Sequence, residues 1–198
     1  MALREGSALR CATYGCAARC DTESNNDMTI AVILIIFVSL PAKVLNFLHF
    51  AMNNYPKLKF PAIRLRASRC GDEVRVWDGV RGKFLVLTPE EWVRRHLIEF
   101  LIVHRGVAPH SIVQEYAVPL NDTAQRADVV VVGADARPQM LVECKAPNVK
   151  IDGGVFAQAV RYNSVVGARY VVLTNGLTHY CYELTDGNYR QLSEFPTL

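Results

Sequence analysis

Two short apolar runs, Val129–Val132 and Met140–Val142, constrain this chain more than any other stretch. Each has strand length, and Gly133-Ala-Asp-Ala-Arg-Pro138 between them is turn chemistry, so together they predict an antiparallel hairpin. With the turn centred between Asp135 and Ala136, Asp128 at the start of the first run faces Glu143 at the end of the second. Side chains so opposed lie roughly 4.5–5.5 Å apart at Cβ, and two carboxylates at that spacing repel. A divalent cation removes the penalty, and hard oxygen ligands are what Mg²⁺ takes. Strand alternation turns Lys145 to the face of Glu143 and Cys144 to the opposite one. The plainer alternative is a surface hairpin whose acids are solvated or loosely paired with the lysine.

Two acids and a lysine converging on one point suit metal-assisted phosphodiester hydrolysis. The cation polarises the phosphoryl oxygen and lowers the pKa of a bound water. The lysine positions or deprotonates that water and offsets developing negative charge. A helix predicted over about 155–165 follows, with Gln158 and Tyr162 four apart on one face. An amide and a phenol there can orient substrate or water.

The set Asp128, Glu143-Cys144-Lys145 and Gln158-x-x-x-Tyr162 resembles the PD-(D/E)xK nuclease superfamily, in its RecB-like Gln-x-x-x-Tyr branch. More closely it resembles the N-terminal nuclease domain of type I restriction enzyme R subunits. The phrases LTPEEWVRRHLI, RADVVV, VECKAP, RYN and VLTNG are similar to that family too, over roughly residues 52–198. The resemblance implies a restriction-endonuclease-like α/β core, with a mixed central sheet flanked by helices. It implies Mg²⁺ or Mn²⁺ as cofactor and DNA as substrate. Asp128 and Glu143 become metal ligands with the Cys144 carbonyl, Lys145 the catalytic lysine, and Gln158 and Tyr162 supporting residues. Such folds often carry a further acid on their first helix, and Glu91 is the candidate. R subunits continue into a translocating motor, whereas no G-x-x-x-x-G-K-[ST] phosphate loop occurs in these 198 residues. The chain is therefore expected to be the nuclease-like part without the motor, with other restriction-system or motor subunits as partners.

Composition agrees with a globular domain: 51% of residues are apolar and 21% charged, and the net charge is +3. From Met52 onward there are 18 Lys/Arg against 15 Asp/Glu, which permits a DNA partner without demanding one. Arg94, Arg95 and Arg161 fall near the candidate site elements. The six cysteines fit no common zinc spacing and read as free thiols of a cytoplasmic protein. His104 and His179 lack spaced partners and read as structural or surface residues.

Residues 1–51 read as an extension separate from a domain at 52–198. Its hydrophobic segment, 28–50, contains the uncharged stretch from Met28 to Ala42, shorter than the ~20 residues of a spanning helix, and reaching Met52 takes in Pro41 and Lys43. Three readings stand: a membrane anchor, a packed or partner-binding helix, and translation that begins at Met52. A secretory signal fits poorly, since residues 1–27 carry three Arg against four acids.

Along the domain, Ala62–Arg66 and Val74–Asp78 are expected to form an N-terminal hairpin around Cys70-Gly71-Asp72, followed by a strand over Phe84–Leu87. Thr88 is the expected N-cap of a helix running to about His104, with Pro89 first and Glu91 closing a capping box. The capping role and the site role of Glu91 compete. Ser111–Val118 reads as the first core strand, with Glu115 turned to solvent and Glu99 solvated. Arg169–Thr174 and Thr178–Leu184 form a hairpin across Asn175-Gly176, and Asp186-Gly187-Asn188 turns into a short tail. The function expected is a Mg²⁺-dependent DNA endonuclease. The alternative is a catalytically silent nucleic-acid- or protein-binding module of the same fold.

Overall fold

A computed structural model describes residues 55–63, 65–120 and 123–198. The expected boundary at 51/52, the hydrophobic segment 28–50 and Cys11, Cys16 and Cys20 lie outside the described residues. Among the described residues no helix is long and apolar enough to cross a membrane.

The first strands are β1 (Ala67–Cys70), β2 (Glu73–Asp78) and β3 (Lys83–Val86), joined as an antiparallel three-stranded sheet. The hairpin expected around Gly71 is present, but its first strand is Ala67–Cys70 and not Ala62–Arg66. The alternation Ile-Arg-Leu-Arg at 63–66 resembled a strand. A turn at Gly71 (φ +60) leaves only the residues nearest it in register with β2.

Helix α1 (Pro89–Glu99) begins where the sequence predicts, Thr88 Oγ1 accepting from the Glu91 N–H at 3.0 Å. It continues as a π-helical stretch, Phe100–His104, to the expected end. Val93, Leu97 and Leu101 are fully buried, as the apolar stripe requires. The capping box is only half made. The Thr88 N–H donates to Val86 O, and the Glu91 side chain turns to arginines instead.

The main sheet has six strands in the order β4 (Ile112–Leu120), β5 (Thr123–Val132), β6 (Pro138–Cys144), β7 (Tyr170–Thr174), β8 (His179–Thr185) and β9 (Asn188–Leu192). All neighbours are antiparallel except β6 and β7, which are parallel and joined through α2 (Gly153–Val166). The fold is thus mixed α/β with helices on the sheet. Two expectations are corrected here. Pro119 lies inside β4, tolerated because β4 is the edge strand. The supposed tail after Asp186-Gly187 pairs with β8 as the sixth strand.

Alternation along β6 sorts the core into two layers. Met140, Val142 and Cys144 pack with Val93 and Leu97 of α1 and with Leu101 of the π-helical stretch. Leu141 packs with Val155, Ala159 and Tyr162 of α2, on the face that Glu143 shares. Gly176 (φ +80) is fixed by a close approach: a Cβ there would lie 2.7 Å from Leu58 Cδ2, beside the Lys59 N–H to Gly176 O bond of 2.8 Å. That contact ties the segment before β1 to the β7–β8 turn.

Candidate functional site

The β5–β6 ladder pairs Val129 with Val142, Val130 with Leu141 and Val131 with Met140, the register expected from the turn. A bulge between Val131 and Val132 absorbs the extra loop residue near the turn, away from the acids. One step beyond Val129 and Val142, Asp128 and Glu143 stand side by side at the end of the ladder. On its other flank β5 pairs Gln114 with Val129 and Tyr116 with Ala127, which brings Glu115 abreast of Asp128. Three carboxylates on three adjacent strands therefore form one row.

Glu115 is a correction. It does not point to solvent; its Oε1 takes Arg94 Nη1 at 2.8 Å and lies 3.6 Å from Arg81 Nη2. Its φ of +52 breaks the β4 ladder locally, a strain of ~1–3 kcal/mol for a residue with a Cβ. Alternation along β4 could not reveal a bulge-like twist of this kind.

Arg94 is the hub of the site. Its side chain, 8% exposed, donates to Asp128 Oδ1 at 2.7 Å, Glu115 Oε1 at 2.8 Å, Glu91 Oε2 at 3.1 Å and Glu90 Oε1 at 3.1 Å. Burial works against its charge, but Asp128 and the other acids more than offset this and hold the guanidinium firmly protonated. Sequence placed Arg94 near the site without finding its partners, because those come from two other strands.

Glu90, rather than Glu91, is the helix acid that faces the pair. Desolvation and then the Asp128 carboxylate raise its pKa. Glu91 looks the other way. Its Oε1 meets Arg95 Nε at 2.6 Å, Arg95 Nη1 holds the fully buried Asp78 at 2.7 Å, and Arg95 Nη2 donates to Gln114 Oε1. Against the desolvation of burial, Arg95 keeps Asp78 below the usual carboxylate range. Glu91 therefore reaches Asp128 only through Arg94, and links α1 to the three-stranded sheet.

Glu143 is the most deeply enclosed acid of the row, its side chain 4% exposed. Oε1 accepts from Lys145 Nζ and from Gln158 Nε2, each at 2.7 Å. Oε2 is buried without a hydrogen-bond partner. Desolvation, then the neighbouring Asp128, push the carboxyl up to about 7. Asp128 is raised as well, by desolvation that Arg94 and the Cys144 N–H only partly counter; that N–H donates to Oδ2 at 2.7 Å. Lys145 is pulled upward by Glu143 despite desolvation, so its ammonium stays charged.

On the sheet face that Glu143 shares, α2 brings its own pair. Asp152 caps the helix by accepting from the Gly154 and Val155 N–H groups. Gln158 Nε2 also lies 3.1 Å from Tyr162 Oη, which donates to Gln125 Oε1 at 2.9 Å. Gln125 comes from β5, and nothing in its local sequence marks it as a partner of Tyr162. Arg161, one residue before Tyr162, is exposed, its guanidinium 5.8 Å from that ring.

Glu143, Lys145, Gln158 and Tyr162 are thus linked by hydrogen bonds, Asp128 stands beside Glu143 held by Arg94 and the Cys144 N–H, and Glu91 reaches Asp128 through Arg94. Cys144 enters through its N–H; its thiol is in the opposite core layer, and burial raises its pKa well above the usual value. Cys181 is likewise a buried free thiol. His179 is structural, its ring tilted against Phe60 at a centroid distance of 4.5 Å and bonded to Thr174 Oγ1 at 2.8 Å, and His104 lies 6.0 Å from the Phe100 ring. Among the described residues no three His, Cys, Asp or Glu side chains are gathered as a ready metal cage. The donors offered are carboxylate oxygens, the kind a hard cation takes.

Residues 89–196 match the family model described as the type I restriction enzyme R protein N terminus. Among solved structures, the chain is similar to a fragment described as an HsdR subunit of a type I restriction enzyme from Vibrio vulnificus YJ016. That match has a TM-score of 0.45 and 24% identity, over 56% of this chain and 24% of that one. The chain so spans about a quarter of that protein's length. No curated protein matches.

Proposed function

The chain belongs to the type I restriction enzyme R protein N-terminal family, and from that premise we propose that it is a Mg²⁺- or Mn²⁺-dependent DNA nuclease module centred on Asp128, Glu143 and Lys145. The observation that carries this reading is the Glu143 carboxyl: buried, raised to about 7 and holding an unpartnered Oε2 beside a second carboxylate. A buried anion so placed is costly unless a cation joins it. The donor set fits such an ion, with Asp128 and Glu143 as its holders and the Cys144 carbonyl and Glu90 as further oxygens within the same group of residues. When bound, a divalent ion supplies Lewis-acid polarisation of a phosphoryl oxygen and a more acidic water.

The chain's own residues do the rest. Lys145, held charged against Glu143, orients a nucleophilic water and balances negative charge as it develops on the phosphate. Its raised pKa makes it a positioning group more than a general base. Gln158 fixes the second lone pair direction of Glu143 Oε1, and the Gln158–Tyr162–Gln125 chain keeps that amide from rotating. Arg94 holds Asp128 in the row. DNA and other subunits of a restriction system are the partners this reading implies.

One observation favours the alternative of a catalytically silent binding module: Arg94 already neutralises Asp128, so the row has a cation of its own. The two readings part in a nicking assay on supercoiled plasmid, with Mg²⁺ or Mn²⁺ against EDTA. The nuclease reading expects metal-dependent nicking that disappears in Glu143→Ala and in Lys145→Ala. Equal nicking by parent and both variants would reject the named site; none by a folded parent that binds DNA would favour the silent module.

A further inference from the structure

The positive charge of this chain is not where its carboxylate site is. Residues 57–83 hold eight Lys/Arg against three Asp/Glu, whereas residues 84–198 hold ten against twelve. The basic part is the segment leading into and forming the β1–β3 sheet, and it precedes the stretch that matches the family model, 89–196. A site of net negative surroundings repels a nucleic-acid backbone, and the β1–β3 sheet offers the compensating charge.

That sheet has two unlike faces. Register places Val76 with Ala67 and Leu85, and Val76 is fully buried, so this face is inward. The other face carries Trp77 paired with Phe84, and Arg75 paired with Ser68 and Val86. Trp77 and Phe84 belong to neither core layer; both are half-buried, and Val86 is 44% exposed. Their rings meet edge to face at 5.2 Å. The exposed Arg66 lays its guanidinium over both, 5.1 Å from the Trp77 ring and 5.5 Å from Phe84. Two aromatic rings thus lie on the outward face of this small sheet, under the Arg66 guanidinium and beside Arg75, whose Nη2 is 3.1 Å from Glu73 Oε2.

We propose that the outward face of the β1–β3 sheet, with Arg66, Arg75, Trp77 and Phe84, is a stacking platform for a single-stranded stretch of nucleic acid. The aromatic rings receive unpaired bases, and the arginines track the phosphates. A duplex shows its bases only edge-on, so it cannot use the rings. Stacked guanidinium groups are pre-oriented for phosphate, which suits Arg66 over the ring pair. The platform delivers a strand to the chain at a place separate from the acid row.

The test uses the full chain in EDTA, where binding is read without cutting, so the platform and the carboxylate site stand or fall apart. Labelled oligo-dT of roughly 15 nucleotides and the corresponding duplex are titrated by fluorescence anisotropy, with intrinsic tryptophan emission followed in parallel. Trp77 is one of two tryptophans, and the other, Trp92, is buried against Tyr55. The expected result is quenching by single strands, and single-strand binding about tenfold or more tighter than duplex binding. Trp77→Ala weakens it roughly tenfold, as losing one stacked base does, and Trp77→Phe restores most of it. Arg66→Glu, a surface change that leaves the fold intact by circular dichroism, weakens binding and flattens its salt dependence. No quenching, preference for duplex, or binding untouched by Trp77→Ala and Arg66→Glu would overturn the proposal.

Discussion

In metal-free protein, Glu143→Gln should remove a pH-dependent loss of stability that the parent carries. Glu143 sits at about 7 in the fold against 4.5 for the free side chain. The folded chain therefore keeps a proton over a range in which the unfolded chain has released it. Stability linked to this group is fully present below pH 4.5 and is lost as pH rises through 7. A shift of that size corresponds to about 3 kcal/mol, shared with Asp128 because the two carboxyls titrate together. Gln keeps an acceptor for Lys145 and Gln158 but weakens both bonds, costing about 1 kcal/mol. The net expectation at pH 8 is a variant about 2 kcal/mol more stable than the parent, and at pH 4.5 one that is slightly less stable. For a domain of this size that is roughly 5 °C in midpoint at the alkaline end. Urea and thermal denaturation in EDTA between pH 4.5 and 8 would measure it. Parallel profiles for parent and variant would contradict this, since burial of the Glu143 charge beside Asp128 would then carry no cost beyond what Lys145 offsets.

Arg94→Gln should destabilise the metal-free protein by roughly 3 kcal/mol, because Asp128, Glu90, Glu91 and Glu115 lose their shared counter-ion. Mn²⁺ should then raise the midpoint more in the variant than in the parent; an unchanged urea midpoint would show those pairs to be weak. Gly176→Ala should cost about 2 kcal/mol, since the φ of +80 and the 2.7 Å approach of Leu58 both oppose a Cβ. Proteolysis near residues 55–60 should rise with it, and a variant as resistant as the parent would argue against the contact. His179 should titrate near 4 in an NMR pH series, because desolvation, then Lys59, disfavour its charged form. Its linked stability grows as pH rises from about 4 to 6.5 and, discounted for partial exposure, amounts to roughly 1–2 kcal/mol. A pKa near 6.5 would contradict its place in the Phe60–Phe195 ring cluster.

What was readable beforehand follows from how local each feature is. The Asp128–Glu143 register depends on two apolar runs and the turn between them, all within a few residues, and so it could be read directly. The Gln158–Tyr162 pair needs only helical spacing. Glu115 was misread because its direction depends on a positive φ that no alternation rule anticipates. Glu90 and Glu91 are adjacent on one turn, and which of them faces Asp128 depends on how α1 lies against strands brought from later in the chain. The Arg94 hub is a meeting of α1, β4 and β5, legible only once those elements are packed together. Likewise β9 looked like a tail, since Asn188–Leu192 has little apolar alternation and becomes a strand by pairing with β8.

A nuclease centred on this acid row requires Asp128 and Glu143 to form a cation site. The direct measurement is a Mn²⁺ titration of the purified chain, with free Mn²⁺ followed by electron paramagnetic resonance, for the parent, Asp128→Asn and Glu143→Gln. Saturable binding by the parent, weakened at least about tenfold in each variant by loss of a charged oxygen ligand, is the predicted result. Binding of equal strength in all three, or none by the parent, would contradict it.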